Sequence, residues 1–64
     1  MDDLLQIIQV KEEIKEIDYA ITKLEMAEID YVDNEEYEKA QLMLMERGRL
    51  IKRRKYLETK IKNK

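Results

Sequence analysis

Residues 7–31 read IIQVKEEIKEIDYAITKLEMAEIDY, and this stretch decides the fold. Its apolar residues recur with alternating spacings of three and four, the heptad pattern by which helices form coiled coils. They are Ile7, Val10, Ile14, Ile17, Ile21, Leu24 and Tyr31, and only Glu28 interrupts the row. The pattern predicts a first helix over about residues 3–30, with one apolar seam that faces another helix.

A second apolar row follows in the second half of the chain, but in a different heptad phase. Its members are Tyr37, Ala40, Met43, Leu44, Leu50, Ile51, Leu57 and Ile61. From Glu28 to Ala40 is twelve residues, one heptad plus five. Because a continuous coiled coil absorbs insertions of three or four residues, we expect the helix to break between the two rows.

The break is predicted at residues 31–34. Asp33 and Glu36 have the spacing of a capping box, and Val32 and Tyr37 occupy the flanking positions of a hydrophobic staple. These signals predict a second helix that begins at residue 34 and ends at about residue 62. Because neither Gly nor Pro marks the turn, a single bent helix and a swapped dimer are the alternatives.

A connection this short makes the two helices antiparallel, so the predicted fold class is all-α, an antiparallel two-helix hairpin resembling a coiled coil. Residues 1–64 form one domain. The composition agrees, because 44% charged residues, no Pro and one Gly are typical of long solvated helices and unlike a fold that needs many turns.

Charge is divided unevenly along the chain. Residues 1–46 carry four bases against fourteen acids, net −10, and residues 47–64 carry nine bases against one acid, net +8. Folding the chain back lays the acids beside the bases and favours one register. Arg47 and Arg54 fall at core positions of the second seam and need acidic partners. The candidates that flank the first seam are Glu13, Asp18 and Glu25.

Many apolar residues lie outside both seams. Left on a lone hairpin they would face water, so we predict a homodimer that closes a four-helix bundle, with burial against a larger protein as the alternative. The predicted oligomer interface comprises Leu5, Ile8, Tyr19, Arg47, Arg54 and Tyr56.

The residue types present exclude several functions. Cys, His and Ser are absent, so zinc, iron–sulfur and thiol sites and the usual nucleophile–base sets cannot be assembled. We predict a non-enzymatic protein with no catalytic residue, cofactor, metal or small-molecule substrate. The apolar runs are too short to span a bilayer and the N-terminus is acidic where a signal peptide is basic, which predicts a cytoplasmic protein without membrane contact. The excess of Lys over Arg and of Ile over Ala is typical of AT-rich microbial or viral genomes.

The predicted turn is the most distinctive surface. Residues 25–46 carry eight acids against Lys39 alone, and methionines, whose flexible side chains adapt to varied partners, lie among them. The missing Gly and the missing alternating order of ligands argue against a Ca²⁺ loop among these acids. The predicted partner-binding surface comprises Met26, Glu28, Ile29, Asp30, Glu35, Glu38, Leu42 and Met45.

These features predict a small protein–protein interaction module that acts stoichiometrically as a regulator, inhibitor or adaptor of a larger partner. Two alternatives stay open. One is a structural coiled-coil subunit of an assembly. The other is nucleic-acid binding through the basic helix 47–64, where Lys52-Arg53-Arg54-Lys55 looks like a phosphate-binding run. The overall net charge of −2 opposes the nucleic-acid alternative.

Overall fold

The computed structural model describes residues 2–62, which form two helices. Helix α1 spans Asp2–Asp33 and helix α2 spans Tyr37–Lys62. The helices pack side by side, and the Cα atoms fill a rod of 51 × 15 × 11 Å. The all-α prediction is confirmed, with two helices arranged as a hairpin. Met1, Asn63 and Lys64 of the predicted domain lie outside the described residues.

The predicted seam of α1 faces α2. Ile17 is buried, and the other six apolar members of the row are half-buried. At the open end of the hairpin, opposite the turn, Ile7 and Val10 share a depression of about 180 Å³ with Ile61 of α2. The first and last layers of the seam therefore meet in the predicted antiparallel register.

The seam of α2 is narrower than the predicted row. Ala40 and Leu57 are buried, and Met43, Leu50 and Ile61 are half-buried. Three predicted members are exposed instead, namely Tyr37, Leu44 and Ile51. A helix contacts a single partner helix through only two of its seven heptad positions. These three residues occupy a neighbouring position, so they face solvent in a two-helix structure.

The turn comprises residues 34–36 and begins three residues later than predicted. The Glu36 N–H donates to the Tyr31 carbonyl at 2.8 Å, and the Glu35 N–H donates to the Val32 carbonyl at 3.0 Å. These two bonds form a Schellman motif, which ends α1 with one residue in the left-handed conformation. That residue is Glu35, at φ 59°.

The predicted capping box at Asp33 is wrong, because Asp33 is the last residue of α1. Glu36 takes the N-cap position of α2, and its carbonyl accepts a hydrogen bond from the Ala40 N–H at 3.1 Å. Val32 and Tyr37 are both exposed, so the predicted hydrophobic staple is also wrong. The Schellman motif uses the residues that the capping box would have occupied, and α2 begins at residue 37 instead of residue 34.

Lys39 of α2 contacts residues on both sides of the turn. Its Nζ lies 3.0 Å from Glu36 Oε1 and 5.8 Å from the centre of the Tyr31 ring. The hydrogen bond to Glu36, and then the attraction of its charge, raise the pKa of Lys39 above the ordinary value. The raised pKa means that this contact stabilises the turn at neutral pH and is lost only as the pH rises through the pKa of Lys39 in strong alkali.

Glu35→Gly is expected to raise the free energy of unfolding by about 1 kcal/mol, because glycine occupies the left-handed region without the penalty of a Cβ. Urea unfolding followed by circular dichroism measures the change. The matched control is Glu38→Gly, inside the first turn of α2, which is expected to lower the free energy of unfolding by about 1 kcal/mol. A loss of stability in both variants would contradict the left-handed assignment.

Candidate functional site

The turn end of the hairpin, which we call the tip (residues 25–46), presents unpaired carboxylates. Of its eight acids, Glu25, Glu28, Glu36 and Glu46 lie within ion-pair distance of a base. The other four make no ion pair or side-chain hydrogen bond with any residue between 2 and 62. They are Asp30, Asp33, Glu35 and Glu38. The tip therefore keeps a concentrated negative charge that nothing in the described chain neutralises.

Four large apolar side chains lie among these acids and are 59–61% exposed. They are Met26, Ile29, Leu42 and Met45. Each pair on one helix is three residues apart and shares a face of that helix. Met26 and Met45 occupy the heptad position that points away from the seam, so the structure does not bring the two pairs together. It places one apolar pair on each outer surface of the tip.

Glu28 differs from the rest of the predicted partner-binding surface, because it is half-buried in the seam. Arg47 Nη1 donates to Glu28 Oε1 at 2.9 Å and lies 3.7 Å from Glu25 Oε2. Glu28, the charged residue that interrupts the row of α1, thus contacts Arg47, one of the two arginines that interrupt the row of α2. Glu28 holds the hairpin together, whereas Asp30, Glu35 and Glu38 face solvent.

The other arginine of the seam is also paired between the helices. Arg54 Nη1 lies 3.1 Å from Asp18 Oδ1, as the flanking position of Asp18 predicts. The predicted partner Glu13 instead accepts a hydrogen bond from Arg53 Nε at 3.0 Å. Arg47 and Arg54 therefore stabilise the hairpin itself, and their part in an oligomer interface stays a prediction.

These pairings change the basic segment of residues 47–62. Three of its arginines point to acids of α1, and Arg49 lies 3.8 Å from Glu46. The lysines at 52, 55 and 62 are exposed. The predicted phosphate-binding run is therefore partly neutralised within the hairpin, which weakens its attraction for a polyanion.

The four remaining residues of the predicted oligomer interface are all exposed, namely Leu5, Ile8, Tyr19 and Tyr56. Both tyrosine rings are covered in part by cations. Lys23 Nζ lies 5.2 Å from the centre of the Tyr19 ring, and Arg53 and Lys60 lie 5.5 and 5.1 Å from the centre of the Tyr56 ring. These cation–π contacts cover part of the ring surface that was expected to lie in the oligomer interface.

Two features of this end of the hairpin were not predicted from the sequence. Glu28 was not expected to pair with Arg47, although both interrupt an apolar row close to the turn. Leu44 and Ile51 were expected in the seam, whereas they flank Arg47 on the exposed surface, three residues before it and four after it. The strict three–four spacing from Ala40 to Ile61, which passes through both arginines, was the signal that excluded them.

Comparison of the chain with protein-family models, curated proteins and solved structures finds no match. Between residues 2 and 62, neither helix has the apolar length needed to cross a bilayer. The same residues contain no group of three or more potential ligands placed to hold a metal ion.

Proposed function

We propose that this chain is a non-enzymatic interaction module that binds a larger protein stoichiometrically through the tip of the hairpin, as a regulator, inhibitor or adaptor. The observation that carries the proposal is the combination of unpaired carboxylates and four exposed apolar side chains at one end of a rod. A cytoplasmic location, predicted from the sequence, is part of the proposal.

The placement of the apolar pairs defines the kind of partner surface. Because one pair lies on each outer surface of the tip, a flat partner would contact only one of them. A groove with apolar walls would contact both, and basic side chains at its rim would meet Asp30, Glu35 and Glu38. Charge complementarity of this kind speeds association and excludes partners with acidic grooves.

Nucleic-acid binding is the weaker alternative because Arg47, Arg53 and Arg54 are engaged by acids of α1. A purely structural coiled-coil role accounts for the seam, but it does not account for the unpaired carboxylates and exposed apolar side chains of the tip. We propose further that two copies close a four-helix bundle, since thirteen large apolar residues between positions 3 and 62 are exposed in a lone hairpin.

Neutralising the tip is expected to abolish capture of the protein partner. The variant carries Asp30→Asn, Glu35→Gln and Glu38→Gln, which keep side-chain size and leave the Lys39–Glu36 contact intact. The matched control carries Lys52→Gln, Lys55→Gln and Lys62→Gln, which remove the same number of charges from the basic segment of residues 47–62. Capture is measured by affinity isolation from native lysate with quantitative mass spectrometry of the bound proteins.

The control variant is expected to retain the partner at the level of the unmodified chain. Full capture by the amide variant, with helicity confirmed by circular dichroism, would contradict the proposal. Loss of a nuclease-sensitive complex in the lysine variant would instead support nucleic-acid binding through residues 47–62.

A further inference from the structure

The exposed apolar residues are concentrated on one flat side of the hairpin, which we call the Leu44 side. Leu44 and Ile51 of α2 flank Arg47, and Arg47 shares a depression of about 300 Å³ with Ile29 and Val32 of α1. Ile8 is three heptads from Ile29, and Leu4 is four heptads from Val32, so both continue the same rows. The Leu44 side comprises Leu4, Ile8, Ile29, Val32, Leu44 and Ile51, and all six are exposed.

The opposite flat side offers much less apolar surface. Leu42 and Tyr56 are its large exposed apolar residues, and the Tyr56 ring already contacts Arg53 and Lys60. A second hairpin would therefore bury more apolar area on the Leu44 side, which shifts the predicted interface away from Tyr19 and Tyr56.

The uneven distribution of charge along the rod favours one relative direction of two paired hairpins. The tip carries eight acids against one base, net −7, whereas residues 2–24 and 47–62, which make up the rest of the rod, carry seven acids against eleven bases, net +4. Two hairpins with their tips together would place like charges side by side. Two hairpins in opposite directions would place each acidic tip against a basic open end.

The apolar rows of α1 match when the two hairpins run in opposite directions. A two-fold axis across the rod at the height of residue 18 stacks α1 on α1 of the second copy and exchanges the two ends of the row. It sets Leu4 against Val32, and Ile8 against Ile29. The same axis sets Lys11 against Glu25, so opposite charges meet in the polar stretch of α1 that lies between the two apolar ends of the row.

Gly48 supports this placement independently. It lies between Leu44 and Ile51, close to the middle of the rod, where the two α2 helices would cross. A Cβ built on Gly48 would meet nothing within 4 Å, so nothing within the hairpin requires a glycine there. Glycine in a helix costs about 1 kcal/mol relative to alanine, and a close approach of two helices offsets that cost.

The surface area is sufficient for a stable interface. The hairpin exposes 5401 Å². A compact monomer of 7.8 kDa exposes about 4,400 Å². The excess of about 1,000 Å² exceeds the area of about 800 Å² that one partner buries in a protein–protein interface of standard size.

We propose that two copies of this chain pair antiparallel through the Leu44 side, with α1 on α1 and α2 on α2. The proposal rests on the homodimer proposed above and specifies its interface and direction. It places the two tips at opposite ends of the bundle. Ile29 is then covered by the second copy, so in the dimer the partner groove proposed above would contact Met26 alone on α1 and the Leu42–Met45 pair on α2.

Cysteine cross-linking tests the direction, because the chain has no cysteine of its own. Ile8→Cys and ¹⁵N-labelled Ile29→Cys chains are oxidised separately and after mixing. The antiparallel arrangement predicts that the mixture gives disulfide-linked dimers containing one chain of each kind, and that neither variant cross-links efficiently alone. A mixture of Ile8→Cys with Leu42→Cys, on the opposite side, is the matched control and is expected to stay uncross-linked.

Two further measurements separate the possible failures. Sedimentation equilibrium that shows a monomer at high concentration would overturn the homodimer itself. A dimer whose Ile29→Cys chains cross-link to each other, or which tightens at high salt, would overturn only the direction. A dimer that cross-links through Leu42→Cys and not through the Ile8→Cys and Ile29→Cys mixture would overturn the choice of side.

Gly48→Leu provides a second variant that keeps the hairpin foldable. Leucine favours the helix more than glycine does, so helicity is expected to persist while the dimer is lost. The control is Lys52→Leu, one turn further along α2 on the outer surface, which is expected to leave the dimer intact. A Gly48→Leu dimer of unchanged affinity would overturn the close approach of the two α2 helices.

Discussion

Leu57→Ala is expected to lower the free energy of unfolding by about 2–5 kcal/mol, because truncation of a buried leucine removes apolar contacts and leaves a cavity. Leu57 is 1% exposed and is the most deeply buried large side chain among residues 3–62. A protein of this size has little stability to lose, so the variant is expected to be largely unfolded at 37 °C. Urea unfolding at one fixed chain concentration measures the change.

Leu42→Ala is the matched control, since it removes the same atoms from the same helix at a site that is 59% exposed. Its effect is expected to stay within about 0.5 kcal/mol. Equal losses in the two variants would contradict the packing of α2 through the row that contains Ala40 and Leu57.

The seam of α1 could be predicted from the sequence because the heptad spacing runs without an insertion from Ile7 to Leu24. Only one face of such a helix can be buried, so the pattern determines which residues meet α2. The change of phase after Glu28 likewise required a break. These two observations were sufficient for the all-α fold of two helices.

The position of the turn could not be predicted, because two local motifs compete for the same residues. Asp33 and Glu36 have capping-box spacing, but the backbone forms a Schellman motif with Glu35 in the left-handed conformation. Glycine is the usual residue at that position, and glutamate gives no signal for it. Glu36 is similarly an unusual N-cap, since Ser, Thr, Asp and Asn are preferred there.

Composition alone was enough to locate the tip in the sequence, but it could not predict the geometry of the tip. Counting acids identifies residues 25–46, but only the structure shows that Glu28 is used inside the seam and that the two apolar pairs lie on opposite outer surfaces. The sequence predicted acidic partners for the seam arginines by their height along the rod. Of the three candidates, Asp18 pairs with Arg54 and Glu25 lies at ion-pair distance from Arg47, whereas Glu13 pairs with Arg53 outside the seam.

The Glu28–Arg47 pair is expected to show a large coupling in a double-mutant cycle. Both side chains are about three-quarters buried, at 26% and 23% exposure. Arg47→Met leaves Glu28 as an unpaired charge in the seam and is expected to lower the free energy of unfolding by about 1–3 kcal/mol. Glu28→Leu is expected to cost less, because Arg47 keeps Glu25 at 3.7 Å.

The double variant, Glu28→Leu with Arg47→Met, is expected to be at least as stable as the unmodified chain, because an apolar layer replaces the pair without desolvating two charges. The coupling measured by urea unfolding is then at least about 1 kcal/mol, because it includes the whole cost of Arg47→Met. Strictly additive losses would show that the pair is a solvated surface contact. A stable double variant that populates more than one oligomeric state would show that the pair specifies the register, since a single polar layer in an apolar seam penalises misaligned pairings.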